Sequence, residues 1–302
     1  MPRFSFPAPQ AQCESLGTEQ LHERQNETEL EVFYFMKRQA TNGSETDQRH
    51  GRIPFLRECA GRAALLKRGL AVLQGWKIYA EFFSPDCQQH NVARLQHLSS
   101  LGLDLTRKRV LEVGAGIGDH SVFYLHHNCE VLPVEGRADQ AKRISERLGI
   151  EVKVADLDSE PEKLEEFGRF DLVHCYGLLY HLSSPGRLLS CLSRVADCLL
   201  LETCVSPDDG FRINSTPEIK YVPSQALNGE GCRPTRQWVF RTLKELYPYV
   251  YATRTQPRHP DFPIDWTVRN GRRLTRAIFI ASHRPITNPN LLTELPQKHD
   301  PW

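Results

Sequence analysis

Several features of secreted, membrane and zinc-binding proteins are missing from this chain of 302 residues. Its nine cysteines include no C-x-x-C pair, so we expect buried, reduced thiols and neither a disulfide framework nor a metal site. No run approaches the roughly 18 apolar residues that a membrane span needs. Residues 1–12 contain no apolar core of a signal peptide. These absences predict a cytoplasmic protein without a membrane partner.

A strong excess of charge of one sign is also lacking. The formal net charge is +1 at pH 7, which gives the whole chain no electrostatic preference for nucleic acid or anionic lipid. The local exception is a basic cluster formed by Arg269, Arg272, Arg273 and Arg276. We expect a solvated strand end there, and contact with RNA phosphates is the alternative.

The sequence pattern divides the chain into a helical extension, a central domain and a tail. The spacing of apolar residues predicts that residues 1–95 are mainly helical, the domain spans 96–284 and a Pro-rich polar tail covers 285–302. The predicted helices of the extension cover 18–40, 55–83 and about 88–100. Within the domain, residues 203–234 are rich in proline and glycine and have no clear period, which is typical of a lid-like insertion.

From residue 109 onward, short apolar strands alternate with helices. The predicted strands are Arg109–Val113, Glu130–Glu135, Glu151–Ala155, Phe170–Tyr176 and Cys198–Glu202. Strands separated in this way by helices form βαβ units, which build a doubly wound parallel α/β sheet. A helix at Thr235–Tyr247 follows, and Tyr249–Thr255 and Leu274–Ser282 are expected to form an antiparallel pair.

The strongest local motif is the glycine turn after the first strand, in the sequence VLEVGAGIGD. Gly114, Gly116 and Gly118 allow positive φ angles and let a ligand approach the backbone. A dinucleotide site has the spacing G-x-G-x-x-G, and Asp119 stands where its third glycine belongs. Glu112 would repel a pyrophosphate, but it can orient a cationic or amine-bearing ligand. The turn therefore argues against a dehydrogenase and for another nucleotide-type ligand.

Two further carboxylates follow the next two strands. Glu135 ends the second strand, where it can accept hydrogen bonds from both hydroxyls of a ribose. Asp156 follows the third strand, where it can accept from an adenine amino group while Leu157 covers the ring. Ligands of open α/β sheets bind outside the carboxyl ends of the strands, so these acidic strand ends predict one nucleoside site.

The run from about 108 to 205 resembles a class I S-adenosylmethionine-dependent methyltransferase. The resemblance rests on the E-x-G-x-G-x-G turn, the acidic end of the second strand, the aspartate after the third, and the segment FDLVHCYGLLYHL at the fourth. It implies a Rossmann-like sheet of seven strands whose last strand is antiparallel, with S-adenosylmethionine as the cofactor. The cofactor-binding residues that it implies are Glu112, Gly114, Ala115, Gly116 and Gly118 for the methionine part, Glu135 for the ribose with Gly136 next to it, Asp156 and Leu157 for the adenine, and Cys175 and Tyr176 beside the sulfonium.

A hydroxyl acceptor benefits from a general base. His181 and Tyr180, just beyond the fourth strand, are the candidate catalytic residues, and His120 is a weaker one. His174 lies inside an apolar strand, so we expect it to be a core residue.

Candidates for binding the acceptor occur later in the chain. Arg233 and Arg236 can hold a carboxylate or phosphate, and Trp238 can stack on the acceptor. Trp266, between the last two predicted strands, is expected at the mouth of the acceptor site.

The expected activity is O-methylation of a small molecule, such as a sugar or natural-product hydroxyl. The alternatives are a tRNA methyltransferase of the wobble-uridine type, because the segment GLLYHL resembles that of such enzymes, and a catalytically idle scaffold that binds S-adenosylmethionine. Strand four lacks the motif NPPY, which argues against methylation of DNA bases. The partner is expected to be a small-molecule acceptor, RNA is the alternative, and the sequence is compatible with a homo-oligomer.

Overall fold

The computed structural model describes residues 79–268 and 275–302. The helices predicted at 18–40 and over most of 55–83 lie outside the described residues, so they remain predictions.

The first described helix is the one predicted at about 88–100. Helix α1 spans Pro85–Ser100, and the hydroxyl of Ser84 caps it by accepting a hydrogen bond from the backbone N–H of Cys87. In the two described ranges, no helix combines the length and apolar character needed to cross a membrane.

A sheet of eight strands forms the centre of the fold. It contains β1 (Arg109–Val113), β2 (Glu130–Glu135), β3 (Lys153–Val154), β4 (Phe170–Tyr176), β5 (Ala196–Val205), β8 (Tyr249–Thr253), β9 (Thr275–Ser282) and β10 (Leu291–Leu292). Their order is β10-β8-β9-β5-β4-β1-β2-β3. Strands β1 to β5 are all parallel to one another, and β9 is antiparallel to both β5 and β8. The predicted Rossmann-like sheet with an antiparallel last strand is confirmed. An eighth, two-residue strand pairs with β8 at one edge.

Four helices of the described ranges lie between strands of this sheet. They are α2 (Asp119–His126), α3 (Ala138–Leu148), α4 (Pro185–Val195) and α5 (Arg236–Leu246), with short 3₁₀ turns at Pro161–Phe167 and Leu179–His181. Each helix returns the chain to the same end of the sheet, so the carboxyl ends of β1 to β5 meet at one edge.

Alternating side chains of the strands form two apolar layers, one on each face of the sheet. Leu111 and Val173 pack in the layer that contains residues of α4 and α5. Val110 and Leu172, one position earlier in each strand, pack in the layer that contains residues of α1 and α2. This alternation follows from the two-residue period of a strand, and it fixes which strand residues face each helix layer.

Two segments without a clear sequence period are regular in the structure. Within 203–234, β6 (Ile213–Pro217) and β7 (Glu230–Pro234) form a separate antiparallel hairpin. In 285–302, Leu291–Leu292 forms the edge strand. The sequence pattern predicts no strand in either segment. Strands this short are set by pairing with another segment, so local apolar periodicity does not reveal them.

Candidate active site

A cavity of about 420 Å³ lies at the carboxyl ends of the parallel strands. Its wall contains the glycine turn, all three acidic strand ends and both candidate bases. The residues predicted from sequence that line it are Glu112, Gly114, Ala115, Gly116, Glu135, Gly136, Asp156, Leu157, Tyr176, Tyr180, His181 and Arg233. The topology of the sheet therefore brings together side chains from six separate stretches of the chain.

The glycine turn and the end of β2 are joined through the carboxylate of Glu135. The backbone N–H of Gly116 donates to Glu135 Oε2 over 2.8 Å, and that of Arg137 donates to Oε1 over 2.9 Å. Gly116 has a φ of +59°, a conformation that favours glycine. Burial raises the pKa of Glu135, although these N–H groups act against the rise. Each carboxylate oxygen keeps a lone pair, so Glu135 can still accept from two ligand hydroxyls.

Glu112 is a buried carboxyl group inside β1. Only 2% of its surface is exposed, and the hydroxyl of Ser121 donates to it. Burial raises the pKa of Glu112 to about 8, so the group is mostly the neutral acid at pH 7. A cation placed beside it would favour the ionised form, which suits the predicted contact with an amine.

The third acidic residue closes a tight turn after β3. Asp156 accepts from the backbone N–H of Asp158 over 3.1 Å and from the hydroxyl of Ser159 over 2.7 Å. The neighbouring Leu157 is buried at the cavity wall. This turn places a polar and an apolar side chain next to each other at the cavity wall.

The insertion at 203–234 covers one side of the cavity. The guanidinium of Arg137 donates to three backbone carbonyls within 220–225, over 2.8 to 3.1 Å. Leu227 packs directly over Gly136, where an added side chain would collide with it. The segment predicted to be a lid therefore contacts the end of β2 that carries Glu135.

Tyr180 lies between two guanidinium groups at the other side of the cavity. Its ring centroid is 5.0 Å from Cζ of Arg233 and 4.9 Å from Cζ of Arg276. Arg276 Nη2 donates to the Tyr180 hydroxyl over 3.1 Å. Burial raises the pKa of Tyr180, although Arg276 acts against the rise, so the phenol stays protonated at neutral pH.

Arg276 departs from its sequence-based prediction. It is buried and pairs with the fully buried Glu202 over 3.0 Å, and Arg94 of α1 pairs with the same carboxylate over 2.6 Å. The prediction of a solvated strand end is therefore wrong for Arg276, and the same burial removes it from any RNA-contacting surface. Glu202 lies at the end of an apolar strand, and a carboxylate buried there needs a positively charged partner. This position was the signal in the sequence for a buried arginine or lysine.

The other three arginines of that cluster, Arg269, Arg272 and Arg273, lie outside the described residues.

His181 is joined to a residue that the sequence did not single out. Its Nδ1 lies 2.5 Å from Oε2 of Glu218, which directly follows β6 in the insertion. Glu218 also accepts from the backbone N–H of Ala226 over 2.8 Å and pairs with Arg233 over 3.3 Å. A loop carboxylate 37 residues from its histidine has no local pattern, so only the folded chain reveals this pair.

Five predicted site residues lie outside the cavity lining. Gly118 packs against α3, and Cys175 is fully buried in the layer of α4 and α5. Trp238 is 8% exposed and belongs to the same layer. The guanidinium of Arg236 stacks on Trp266, 3.9 Å from the ring centroid, and donates to a backbone carbonyl. Of the four predicted acceptor-binding residues, Arg233 alone reaches the cavity.

One group of side chains in the described part of the chain has the composition of a metal site. Ligand atoms of His90, His259 and Asp261 lie within 4.8 Å of one another. The two imidazoles stack with their centroids 4.6 Å apart, and Arg276 Nε lies 4.0 Å from an oxygen of Asp261. A guanidinium thus already supplies positive charge at this carboxylate, which disfavours a cation there.

A mostly parallel sheet with this strand order, an antiparallel last strand and a cavity at the strand ends defines the class I methyltransferase fold. The chain belongs to the methyltransferase domain family, which matches residues 85–247, more than half of its length. It is an S-adenosylmethionine-dependent methyltransferase. No curated protein matches the chain in sequence.

Solved structures of low sequence identity are similar to parts of this chain. The N-terminal domain of EvdMO1, crystallised with S-adenosylhomocysteine (SAH) and D-fucose, is 22% identical, with a TM-score of 0.49 over 67% of this chain and 84% of that one. The 1,6-didemethyltoxoflavin-N1-methyltransferase of Burkholderia thailandensis is 15% identical, with a TM-score of 0.45 over 79% and 93%. A methyltransferase of Mesorhizobium loti is 16% identical, with a TM-score of 0.44 over 63% and 97%.

The cavity suits the cofactor in size and in polar groups. Its volume falls in the range of roughly 300 to 1,000 Å³ that is usual for small-molecule sites. Five buried polar atoms on lining residues have no hydrogen-bond partner among the described residues: His90 Nε2, Arg94 Nε, His120 Nε2, Tyr176 Oη and Arg276 Nε. Buried polar atoms are normally paired, so this set indicates a polar ligand. When bound, the cofactor supplies an electrophilic methyl group on a positively charged sulfur.

Proposed function

We propose that this protein methylates a hydroxyl group of a small molecule and that His181 is the general base. The observation that carries the proposal is the 2.5 Å contact between His181 Nδ1 and Glu218 Oε2 at the cavity wall. A hydroxyl must lose its proton as the new carbon–oxygen bond forms, and a positioned imidazole is the usual acceptor of such a proton.

The pairing with Glu218 decides which nitrogen of His181 is free. Burial raises the pKa of Glu218, but the bonds from His181 and from the Ala226 N–H outweigh that effect and lower it overall. Because the ionised carboxylate only accepts, the shared proton lies on His181 Nδ1. Nε2 then carries the lone pair, which is the arrangement of a histidine base held by a carboxylate.

His181 also has the protonation state that a base needs. Burial lowers its pKa, while Glu218 acts against the decrease. The imidazole is therefore neutral at pH 7 and can take a proton from the acceptor. Nearby Tyr180 is protonated and already accepts from Arg276, so its O–H is available to orient the acceptor oxygen.

The shape of the cavity supports a small acceptor. The insertion contacts both ends of the site, through Arg137 at the ribose side and through Glu218 at His181. A compact molecule with a hydroxyl, such as a sugar or a natural product, suits a cavity of this volume that the insertion covers on one side. Of the clustered arginines that suggested RNA, the one that is described, Arg276, is buried.

The proposal is tested by screening pooled hydroxyl-bearing metabolites with a radiolabelled methyl donor and then comparing variants on the acceptor found. We expect His181→Ala to lower turnover by about 100-fold or more, the usual contribution of a general base. Its affinity for SAH should stay within about twofold, because the imidazole acts on the acceptor. The exposed His126, in the last turn of α2, provides the control, and His126→Ala should behave as wild type. Equal turnover of His181→Ala would contradict the base assignment.

A further inference from the structure

Three buried side chains form a hydrogen-bonded chain that starts in the core and ends at the cavity. The hydroxyl of Tyr124 lies 2.8 Å from His174 Nδ1, and His174 Nε2 lies 3.0 Å from His120 Nδ1. Tyr124 and His174 are at most 1% exposed, and His120 is 8% exposed. The ring of His120 lines the cavity, and its Nε2 is buried without a hydrogen-bond partner in the described ranges.

Counting protons along this chain leaves two arrangements. In the first, Tyr124 donates to His174 Nδ1, His174 Nε2–H donates to His120 Nδ1, and the proton of His120 is on Nε2. In the second, both histidines carry their proton on Nδ1, the bonds run the opposite way, and His120 Nε2 is bare. The same heavy-atom distances fit both.

The hydroxyl of Tyr124 separates the two arrangements. Its hydrogen bond within the described residues is to His174 alone, and the group is fully buried. In the second arrangement its proton would therefore have no acceptor, and an unpaired buried donor is costly. The first arrangement pairs every proton of the chain up to His120 Nε2–H.

Both histidines are neutral, so the count of one proton each holds. Burial lowers the pKa of His120 to about 3, with Arg94 adding to the effect, and lowers that of His174 well below its usual value. Besides His174, the ring of Tyr176 lies 6.2 Å from that of His120, and the charge of Arg94 also disfavours a protonated imidazole.

We propose that His120 is a ligand-binding residue whose Nε2–H donates a hydrogen bond to a ligand oxygen, and that Tyr124 and His174 hold it in this tautomer. The oxygen belongs either to the amino-acid carboxylate of the cofactor or to the acceptor molecule. The sequence suggested His120 as a weak candidate base, and the hydrogen bonds that link it through His174 to Tyr124 assign it the opposite role. His181 Nε2 accepts a proton, whereas His120 Nε2 supplies one to a hydrogen bond.

The first test is nitrogen NMR on the full chain labelled with ¹⁵N-histidine, with signals assigned through His120→Asn and His174→Gln. The proposal predicts that His120 and His174 each show a protonated Nε2 and a bare Nδ1, unchanged between pH 6 and 8. A bare Nε2 on His120 would overturn it. This measurement needs no ligand, so its result is independent of the cofactor and of the proposed function.

Tyr124→Phe tests the origin of the tautomer. His174 Nδ1 loses its donor in this variant, so its nitrogen signal should move toward that of an imidazole free of hydrogen bonds. Tyr247→Phe is the control, because Tyr247 is a buried tyrosine of the opposite layer whose hydroxyl has no hydrogen-bond partner among the described residues. If the His174 Nδ1 signal is unchanged in Tyr124→Phe, the hydrogen bond from Tyr124 to His174 is contradicted.

Two ligands separate the possible sources of the oxygen. SAH carries the amino-acid carboxylate, whereas methylthioadenosine lacks it. A shift of the His120 Nε2–H signal with SAH alone assigns the bond to the cofactor carboxylate. A signal that moves with neither ligand assigns the hydrogen bond to the acceptor. Turnover should then fall in His120→Phe and recover in His120→Asn, whose amide N–H can donate. If His120→Phe changes neither SAH affinity nor turnover, the binding role is wrong.

Discussion

The imidazole of His181 and the carboxylate of Glu218 join the loop after β4 to the insertion that covers the cavity. Glu218 is held in turn by the backbone N–H of Ala226 and by Arg233, both in the same insertion. The group that orients the proposed base therefore belongs to the covering segment. The position of this segment over the cavity and the tautomer of His181 therefore depend on the same contacts of Glu218.

Replacing Glu218 by Gln should change both the rate and its pH dependence. The carboxylate raises the pKa of His181 against the effect of burial, so its removal should lower that pKa further. A base is active above its pKa, so the acidic limb of the turnover profile should shift to lower pH in Glu218→Gln. Turnover on the plateau should fall at least about tenfold, because an amide no longer enforces the proton on Nδ1.

The matched control for this change lies on the same hairpin. Glu230 begins β7, is exposed and accepts from the hydroxyl of Ser215. Glu230→Gln should leave the turnover profile in place. A Glu218→Gln profile that also coincides with wild type would show that the carboxylate does not act on His181.

The side of the cavity formed by the glycine turn and the acidic strand ends was predictable from sequence because its determinants are local. A strand that ends in Glu135 or precedes Asp156 carries its own apolar pattern, and the rules for βαβ units bring those ends together. The glycine turn of Gly114 and Gly116 is likewise a contiguous motif. The positions of these residues at one cavity follow without knowledge of any long-range contact.

The side of the cavity that holds His181 was predicted less well because its contacts join distant segments. Glu218 reaches His181 through a hairpin that has little apolar periodicity. Arg236 and Trp238 have the right chemistry for an acceptor site, but the helical geometry of α5 places Trp238 in the core. Arg94 reaches the cavity from α1, which the sequence assigned to the extension. Residue type alone does not specify such pairings.

Glu112 should release a proton when the cofactor site is filled. Its pKa of about 8 makes it mostly neutral at pH 7. The ammonium group of SAH beside it would lower that pKa, so binding at pH 7 should release close to one proton. Titration calorimetry in buffers of different ionisation enthalpy measures this release. It should vanish in Glu112→Gln, and a buffer-independent binding enthalpy for wild type would contradict the predicted contact.

Gly231 should tolerate no side chain, for reasons of space. A Cβ at this position of β7 would lie 2.5 Å from the carbonyl oxygen of Tyr180 and 2.8 Å from Oε1 of Glu218. Gly231→Ala should lower the free energy of unfolding by about 1 to 3 kcal/mol, as overpacking does, and should also lower turnover. At Gly186 in α4 a Cβ would lie 3.8 Å from Trp238, an ordinary contact, so Gly186→Ala is the control and should not destabilise the protein. Equal thermal stability of both variants would show that β7 does not pack closely against the backbone of Tyr180.

The most direct measurement is a crystal structure of the protein soaked with SAH. The ribose hydroxyls should donate to Glu135, whose two oxygens already accept from Gly116 and Arg137. The adenine should lie against Leu157, and the sulfur should face the side of the cavity that holds His181. SAH bound elsewhere, or a cavity in which Glu135 keeps only its backbone partners, would contradict the account.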